Sequence, residues 1–412
     1  MKKLVILGAG TAGTTLVNKM RRRLGSEWEI TIVDQDETHL YQPGLLFIPF
    51  GMYSKEDVVA PRGDFIPSGA ELIVAPVSGV DPYAQVVVLD DGRRLDYDQL
   101  VIATGTHPRP DQTPGLEGDA WGVTVHDFYT LQGSLALAEA LRRFDGGRLV
   151  VNMVELPIKC PVAPLEFAFL ADWHFRERGM RDRVEIVFAT PLSGAFTKPI
   201  ASDLLGGMLA EKKILVEPDF YAGGVEDGTL VSYDDRTIPF DLLVTVPVNM
   251  GSSFVGASGL GDELDHVPVD KHTFLATGYE NVWAIGDAAD LPTSKAGSVA
   301  HFAVDVFAEN FPRHVAGLPM EERFDGHANC FVESGDGRAM LIDFNYDTEP
   351  LPGKYPIPGI GPFSLLKETH VNHWGKLAFK WMYWNGLIKG RPMPVPTEMM
   401  MAGKHIPNEE GR

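Results

Sequence analysis

The sequence predicts an α/β chain made of two related β-α-β units, followed by a C-terminal segment with an amphipathic helix. Three observations carry that prediction. The chain opens KKLVILGAGTAGTTLVNKM, an apolar strand, a glycine loop and a helical run in direct succession. A similar strand and helix recur in mid-chain as RLVVNMVELPIKCPVAPLEFAFLADWHF, with a cysteine where the glycines would stand. Near the end, KETHVNHWGKLAFKWMYWNGLIKGR reads as a helix crowded with tryptophan and phenylalanine.

Composition narrows the function classes. With 56 acidic against 36 basic residues the net charge is -20, which argues against nucleic-acid binding. No apolar run approaches the ~20 residues that a membrane-spanning helix needs. The N-terminus enters the first strand at once, so synthesis and retention on the cytoplasmic side are the expectation. Only two cysteines, Cys160 and Cys330, are present. They make neither a stapled scaffold nor a C-x-x-C metal or haem motif, and no metal is expected.

The first unit reads as a strand at 3–7, a helix from about 11 to 23, and a strand EITIVD ending at Asp34. Gly8, Gly10 and Gly13 have G-x-G-x-x-G spacing between that strand and helix. Asp34 follows by about the 20 residues expected of the acid that bonds a ribose hydroxyl. A dinucleotide diphosphate needs bare backbone at a helix N-terminus, and here the sequence supplies it. DDGRRLDYDQLVIATG then gives a hairpin and an apolar strand ending at Ala103, Thr104 and Gly105. Residues 1–114 thus form the first part of a dinucleotide-binding domain.

Residues 115–265 form an inserted second Rossmann-like unit. It has a helix at about 130–144, a strand at 148–154, the Cys160 loop, a helix at about 163–178, the strand VEIVFAT, a helix near 201–212 and a hairpin ending LLVTVPVNM. Without glycines its loop is not expected to hold a second dinucleotide. Residues 266–325 include NVWAIGDAADLPTSKAGSVAHFAVDVF, an apolar strand, then Gly286 and Asp287, then a helix; its resemblance to glutathione-reductase-like flavoproteins implies that this segment completes the first domain. The remainder, 326–412, begins with strand-like NCFVESGDGRAMLIDFNY.

Cys160 stands beside Lys159 at the predicted start of a helix, where the helix dipole and a cation would lower a thiol's pKa. Glu166, six residues further on, is either a proton-handling group or a solvated helix carboxylate. His174 and His301 fall within helical patterns and read as structural. In the last helix Leu377, Trp381, Trp384 and Ile388 recur at helical spacing with Lys376 and Lys380 four apart. That suits a helix lying in a membrane interface, the competing reading being a packing or dimer helix, with self-association left open.

These segments resemble the FAD domains of glutathione-reductase-like flavoproteins. More specifically, YQPGLLFIPFG, KCPVAPLEFAF, NCFVESGDGRAM and the aromatic final helix resemble the sulfide:quinone oxidoreductases and the flavoprotein subunit of flavocytochrome c sulfide dehydrogenase. The resemblance implies FAD, held by Gly8, Ala9, Gly10, Thr11, Ala12, Gly13, Asp34, Gln35, Pro43, Val77, Thr104, Gly105, Gly286, Asp287, Lys295 and Ala296. It implies a redox-active Cys160–Cys330 disulfide attacked by sulfide, with Glu166 nearby, and a membrane quinone between Phe331 and Phe379 that Lys376 bonds. The protein would then be a peripheral membrane enzyme. One departure stands out: many of these enzymes carry a third cysteine in the stretch that here reads TVHDFYTLQG, around Phe128. The alternatives are a type II NADH:quinone oxidoreductase, which needs a second glycine loop, a cytochrome-linked sulfide dehydrogenase, and a non-catalytic FAD-containing redox partner in a sulfur-oxidation complex.

Overall fold

In the computed structural model, which describes residues 1–406, two parallel sheets and one mixed sheet are arranged around the helix that follows Asp287. Strand β1 (Lys2–Leu7), helix α1 (Thr11–Arg23) and strand β2 (Trp28–Asp34) make the opening β-α-β unit. Strands β3 (Glu71–Val74) and β4 (Gln99–Ile102) extend it on either side, all parallel. β1 and β4 are apolar runs buried on both faces, as a parallel sheet covered by helices requires.

The second sheet gathers β5 (Val125–His126), β6 (Gly147–Met153), β7 (Val184–Ala189), β8 (Ile214–Glu217) and β9 (Leu242–Val246) in the order β5-β9-β6-β7-β8. Its helices are α2 (Leu131–Arg143), α3 (Ala163–Glu177) and α4 (Pro199–Glu211). Here one expectation is corrected. LLVTV is not a hairpin arm but β9, a fully buried strand inserted parallel between β5 and β6. A continuous buried apolar run marks a central parallel strand, and the preceding hairpin closes as a separate antiparallel sheet of residues 222–239.

The chain then returns to the first sheet. β10 (Val282–Ala284) pairs parallel with β4, and α5 (Gly297–Val315) packs beside α1. A mixed sheet follows: β11 (Ala328–Gly335), β12 (Arg338–Phe344), β13 (Gly353–Ile357) and β14 (Gly361–Leu365) in the order β11-β12-β14-β13. β11 is therefore an edge strand, and its free edge faces α3. Last comes α6 (His370–Met382), capped by the Thr369 hydroxyl, which accepts from Asn372 N.

The final helix differs from the continuous one expected over 370–389. It changes at Tyr383–Leu387 to a π-helical turn. Such a wider turn re-aims side chains and is common at functional positions. Here it lets the Tyr383 hydroxyl reach both Thr11 Oγ1 and His39 Nε2, at 2.8 Å each. It also splits the predicted stripe. Trp384 and the fully buried Ile388 pack inward, whereas Trp381 faces out.

Phe128 proves to be a packing residue. Its ring stacks on Phe167 at 5.1 Å and meets Tyr129 edge-on at 5.0 Å. Phe128→Ala is expected to cost about 3–5 kcal/mol through the cavity it leaves, seen as a lower midpoint in urea denaturation followed by tryptophan fluorescence. A loss well under 1 kcal/mol would show that the aromatic cluster is not a stabilising unit.

Candidate active site

The glycine loop is built for close approach. Gly8 has φ +95°, and a Cβ on Gly13 would stand 1.9 Å from Gly8 O, so neither position admits a side chain. Gly10 has nothing within 4 Å of where a Cβ would lie, which leaves its backbone bare at the head of α1. Asp34 Oδ2 accepts from Ala9 N at 2.6 Å and pairs with Arg62 at 3.0 Å. Burial raises the Asp34 pKa and Arg62 pulls it back, so its carboxylate is set at the loop.

The other expected cofactor residues are distributed round this loop. The buried Thr104 Oγ1 has no partner among the described residues, and Gly105 has φ +70° with open space above it. A Cβ on Gly286 (φ +71°) would press on Ala12 at 3.1 Å. Asp287 has its pKa raised by burial, opposed by Lys295 and Lys159. Lys295 Nζ donates to Asp287 O and Ala289 O at 2.8 and 3.0 Å. Ala296 caps α5, Val77 is half-buried, and Gln35 and Pro43 are exposed. An open Gly10, an orphaned threonine hydroxyl and an acid at the end of β2 fit a dinucleotide.

The two cysteine segments meet at the start of α5. Cys160 N donates to Lys295 O at 2.7 Å. Three residues on, Ser298 Oγ donates to Asn329 O at 2.8 Å and accepts from Asn329 N. These anchors bring the segments of Cys160 and Cys330, both free thiols, to the same place, near enough for Cys330 to raise the Cys160 pKa. Cys160 takes φ +83°, a strained backbone for a side-chain-bearing residue. It is fixed by that Lys295 bond and by the Tyr129 hydroxyl, which donates to Cys160 O at 3.2 Å.

The thiol chemistry differs from the expectation of a lowered pKa. The Cys330 hydrogen bond, then burial, push the Cys160 thiol well up, and only Lys376 acts in the other direction. The dipole argument fails because Cys160 precedes the first residue of α3 and its own amide is spent on Lys295. Lys159 points away, its Nζ donating to Thr106 O at 3.2 Å.

Glu166 is not solvated: it is only 2% exposed. Its Oε1 accepts from Lys376 Nζ and, at 2.7 Å, from Glu333 N on the free edge of β11. Lys376 Nζ also donates to Phe331 O at 3.0 Å and lies over the Phe47 ring. Burial works against that ammonium, but Glu166 and Glu333 outweigh it and raise its pKa; burial raises Glu166 as well. Phe331 packs edge-on against Phe363, and Phe379 lies near Tyr41 and Tyr383, so the structure brings Phe331, Phe379 and Lys376 to one region without stacking the two rings on each other. His174 and His301 have pKa values lowered to about 4 by burial, and both belong to helix packing.

Sequence reasoning missed Arg62, His39, Tyr383, Glu333 and His373. Glu333 left one signal, the lone carboxylate of the strand ANCFVESG. Arg62 and His39 left none.

A glycine-loop dinucleotide site, a second unit without one, and a thiol pair between them define a flavoprotein oxidoreductase. The comparisons agree. Residues 2–151 match the pyridine nucleotide-disulphide oxidoreductase family. The mitochondrial sulfide:quinone oxidoreductase of Dictyostelium discoideum is 28% identical over 94% of this chain and 86% of that one. A type II NADH:quinone oxidoreductase of Staphylococcus aureus is 32% identical over 86% and 92%. The solved sulfide:quinone oxidoreductase of Aquifex aeolicus superposes with a TM-score of 0.79 at 19% identity, covering 95% of this chain and 92% of that one. The chain belongs to the pyridine nucleotide-disulphide oxidoreductase family and is an FAD-dependent oxidoreductase.

The site carries a pH signature. Burial, with Glu166 adding, pushes Glu333 from 4.5 up to about 8. The folded chain therefore holds a proton that the unfolded chain has released. That contribution is complete below about pH 4.5 and drains away as pH rises to about 8, at up to about 1.4 kcal/mol per unit. The melting temperature of Glu333→Gln relative to wild type is expected to rise across this window. A difference that stays flat from pH 5 to 8 would remove the buried acid.

Proposed function

We propose that the protein oxidises sulfide at the Cys160–Cys330 pair and passes the electrons to a membrane quinone at the face formed by Phe331, Lys376 and Phe379. The observation that carries this reading is the meeting of two sequence-distant thiols on the first turn of α5, beside the dinucleotide site. In the oxidised protein the pair is a disulfide. HS⁻ attacks one sulfur and the Cys160–Cys330 bond breaks. One cysteine becomes a persulfide and the other a thiolate, so atoms and charge balance.

FAD, held by the residues of the glycine loop and those after β4 and β10, supplies when bound a two-electron acceptor for the sulfur pair and a donor for quinone. The chain's own residues set the sulfur half-reaction. The Lys376 ammonium favours a thiolate at Cys160, Glu166 opposes it, and burial with Cys330 keeps the Cys160 proton in the resting reduced pair. Tyr129 and the Lys295 carbonyl hold the loop in register while the sulfurs exchange partners.

A second reading, NADH:quinone oxidoreduction, is favoured by the Staphylococcus aureus relative. It needs open backbone at the head of α3. There Ala163, Pro164 and Leu165 are buried, and the loop before them is occupied by the Cys160 peptide.

Anaerobic sulfide is expected to bleach the flavin of the purified protein, and a soluble quinone to restore it. Cys330→Ser is expected to retain FAD but lose at least about 100-fold in sulfide-driven bleaching, since no disulfide is left to attack. Full-rate bleaching in that variant excludes the disulfide route, and bleaching by NADH instead establishes the second reading.

The outer face of α6 supports a membrane-surface location. Val371, Trp374, Ala378 and Trp381 lie along one side, with Trp374 and Trp381 64% and 69% exposed. Among the described residues no helix is long and apolar enough to cross a membrane. Trp374→Ser and Trp381→Ser are each expected to weaken binding to phospholipid vesicles by about tenfold. Unaltered sedimentation with vesicles would assign this face to protein packing.

A further inference from the structure

Beyond the thiols and the cofactor loop, one pair of titratable groups has no part in the sulfur chemistry. It lies between β11 and α6. Glu333 is 1% exposed, and its Oε1 stands 2.6 Å from Nδ1 of His373. His373 is one turn before Lys376 on α6 and reaches the surface, its side chain 13% exposed. The Glu333 amide is bonded to Glu166, whose carboxylate also takes Lys376. His373 and the Glu333 side chain thus lead in from solvent, and the Glu333 amide, through Glu166, joins them to Lys376 and the carbonyl of Phe331.

We propose that His373 and Glu333 are the inlet of a proton path that feeds Lys376 and Glu166 during quinone reduction. This rests on the reading of the Phe331–Lys376 region as the quinone site. Reducing a quinone to its quinol takes two electrons and two protons. The electrons arrive through FAD, whereas the protons must come from water. For each proton, Lys376 donates from Nζ to a quinone oxygen and recovers a proton from the Glu333 carboxyl. Glu333 takes one from His373 Nδ1, and the ring regains one at Nε2 from solvent. Two such cycles balance the reaction.

Two features separate this arrangement from a structural pin. First, Glu333 Oε2 is buried with no partner among the described residues, although Oε1 of the same carboxyl is bonded to His373. A purely structural carboxylate would be saturated, whereas this oxygen is free to pass a proton on, directly or through an ordered water. Second, the pair sits in a set of charges that keeps it poised. Glu166 from α3 and Lys376 and His370 from α6 face it, with Tyr53 and the Asp57–Lys380 pair alongside. Burial, aided by Glu166 and opposed by Lys376, leaves Glu333 titrating near 8, while burial, His370 and Lys376 lower His373. At neutral pH the pair is therefore a carboxylic acid beside a neutral imidazole, and a proton crosses without leaving a bare buried charge.

The test uses holoenzyme reduced with dithionite and reoxidised by a soluble quinone in a stopped-flow instrument, so that it does not depend on sulfide. In wild type the reoxidation rate is expected to fall as pH rises through about 8, where Glu333 loses its proton. Glu333→Gln, which keeps shape but not the titratable proton, is expected to be slower by at least about tenfold at pH 7 and to lose that alkaline limb. His373→Ala is expected to show a similar loss that added imidazole partly restores, a response that a missing structural contact would not give. Wild-type rate and pH profile in Glu333→Gln, or a His373→Ala defect that imidazole does not touch, would overturn the path. Failure of sulfide to bleach wild type would overturn the sulfide reading alone, leaving reoxidation to judge the relay.

Discussion

The arrangement depends on two hydrogen-bonding anchors at the start of one helix, a backbone carbonyl and a side-chain hydroxyl. Lys295 O and Ser298 Oγ, three residues apart, each hold a strand-like segment from elsewhere in the chain. One brings the Cys160 loop out of the second parallel sheet, and the other brings the edge strand that carries Cys330. Each bond contributes about 1 kcal/mol, too little to create the fold. They select the register in which the thiols meet. Cys160 adopts φ +83° to comply, and the surrounding hydrogen bonds maintain that strained conformation.

A second constraint lies behind the first. Glu166 and Lys376 place opposite charges in a nearly dry interior, where an ion pair is worth retaining only if its remaining valences are filled. They are filled by the otherwise unpaired edge of β11, through Glu333 N and Phe331 O. The edge strand gains protection from further pairing, and the charges gain backbone partners. The same contacts tie α3, β11 and α6 together, so the cysteine pair and the face of Phe331 and Phe379 share one polar wall.

Much of the first unit could be read directly from residues. Gly8, Gly10, Gly13 and Asp34 have fixed spacing because the turn, the helix head and the ribose impose it, and the structure places them accordingly. The cysteine pair was legible only through likeness to known sequences, since nothing local to Cys160 specifies Cys330. The thiol's pKa was misjudged for a related reason. Proximity in sequence suggested Lys159 and a helix dipole, but the deciding neighbour comes from a distant strand. Glu333 and His373 became a pair only when an edge strand and a terminal helix were laid side by side. The tryptophan stripe was misassigned because a π turn shifts the periodicity after Met382.

That turn also determines what the C-terminus is. Tyr383 hydroxyl bridges Thr11 and a buried His39 whose other nitrogen lies 3.2 Å from Ala9 O, while Asn18 and Arg22 hold the carbonyls of Ile388 and Gly390. These helical turns are therefore part of the wall of the phosphate cradle rather than an appendage on it. Trimming the chain before Tyr383 would strip an aromatic lid from the loop and leave an uncharged imidazole facing an empty hole. Engineering the protein for solubility by removing its greasy tail would thus dismantle the cradle it was meant to preserve.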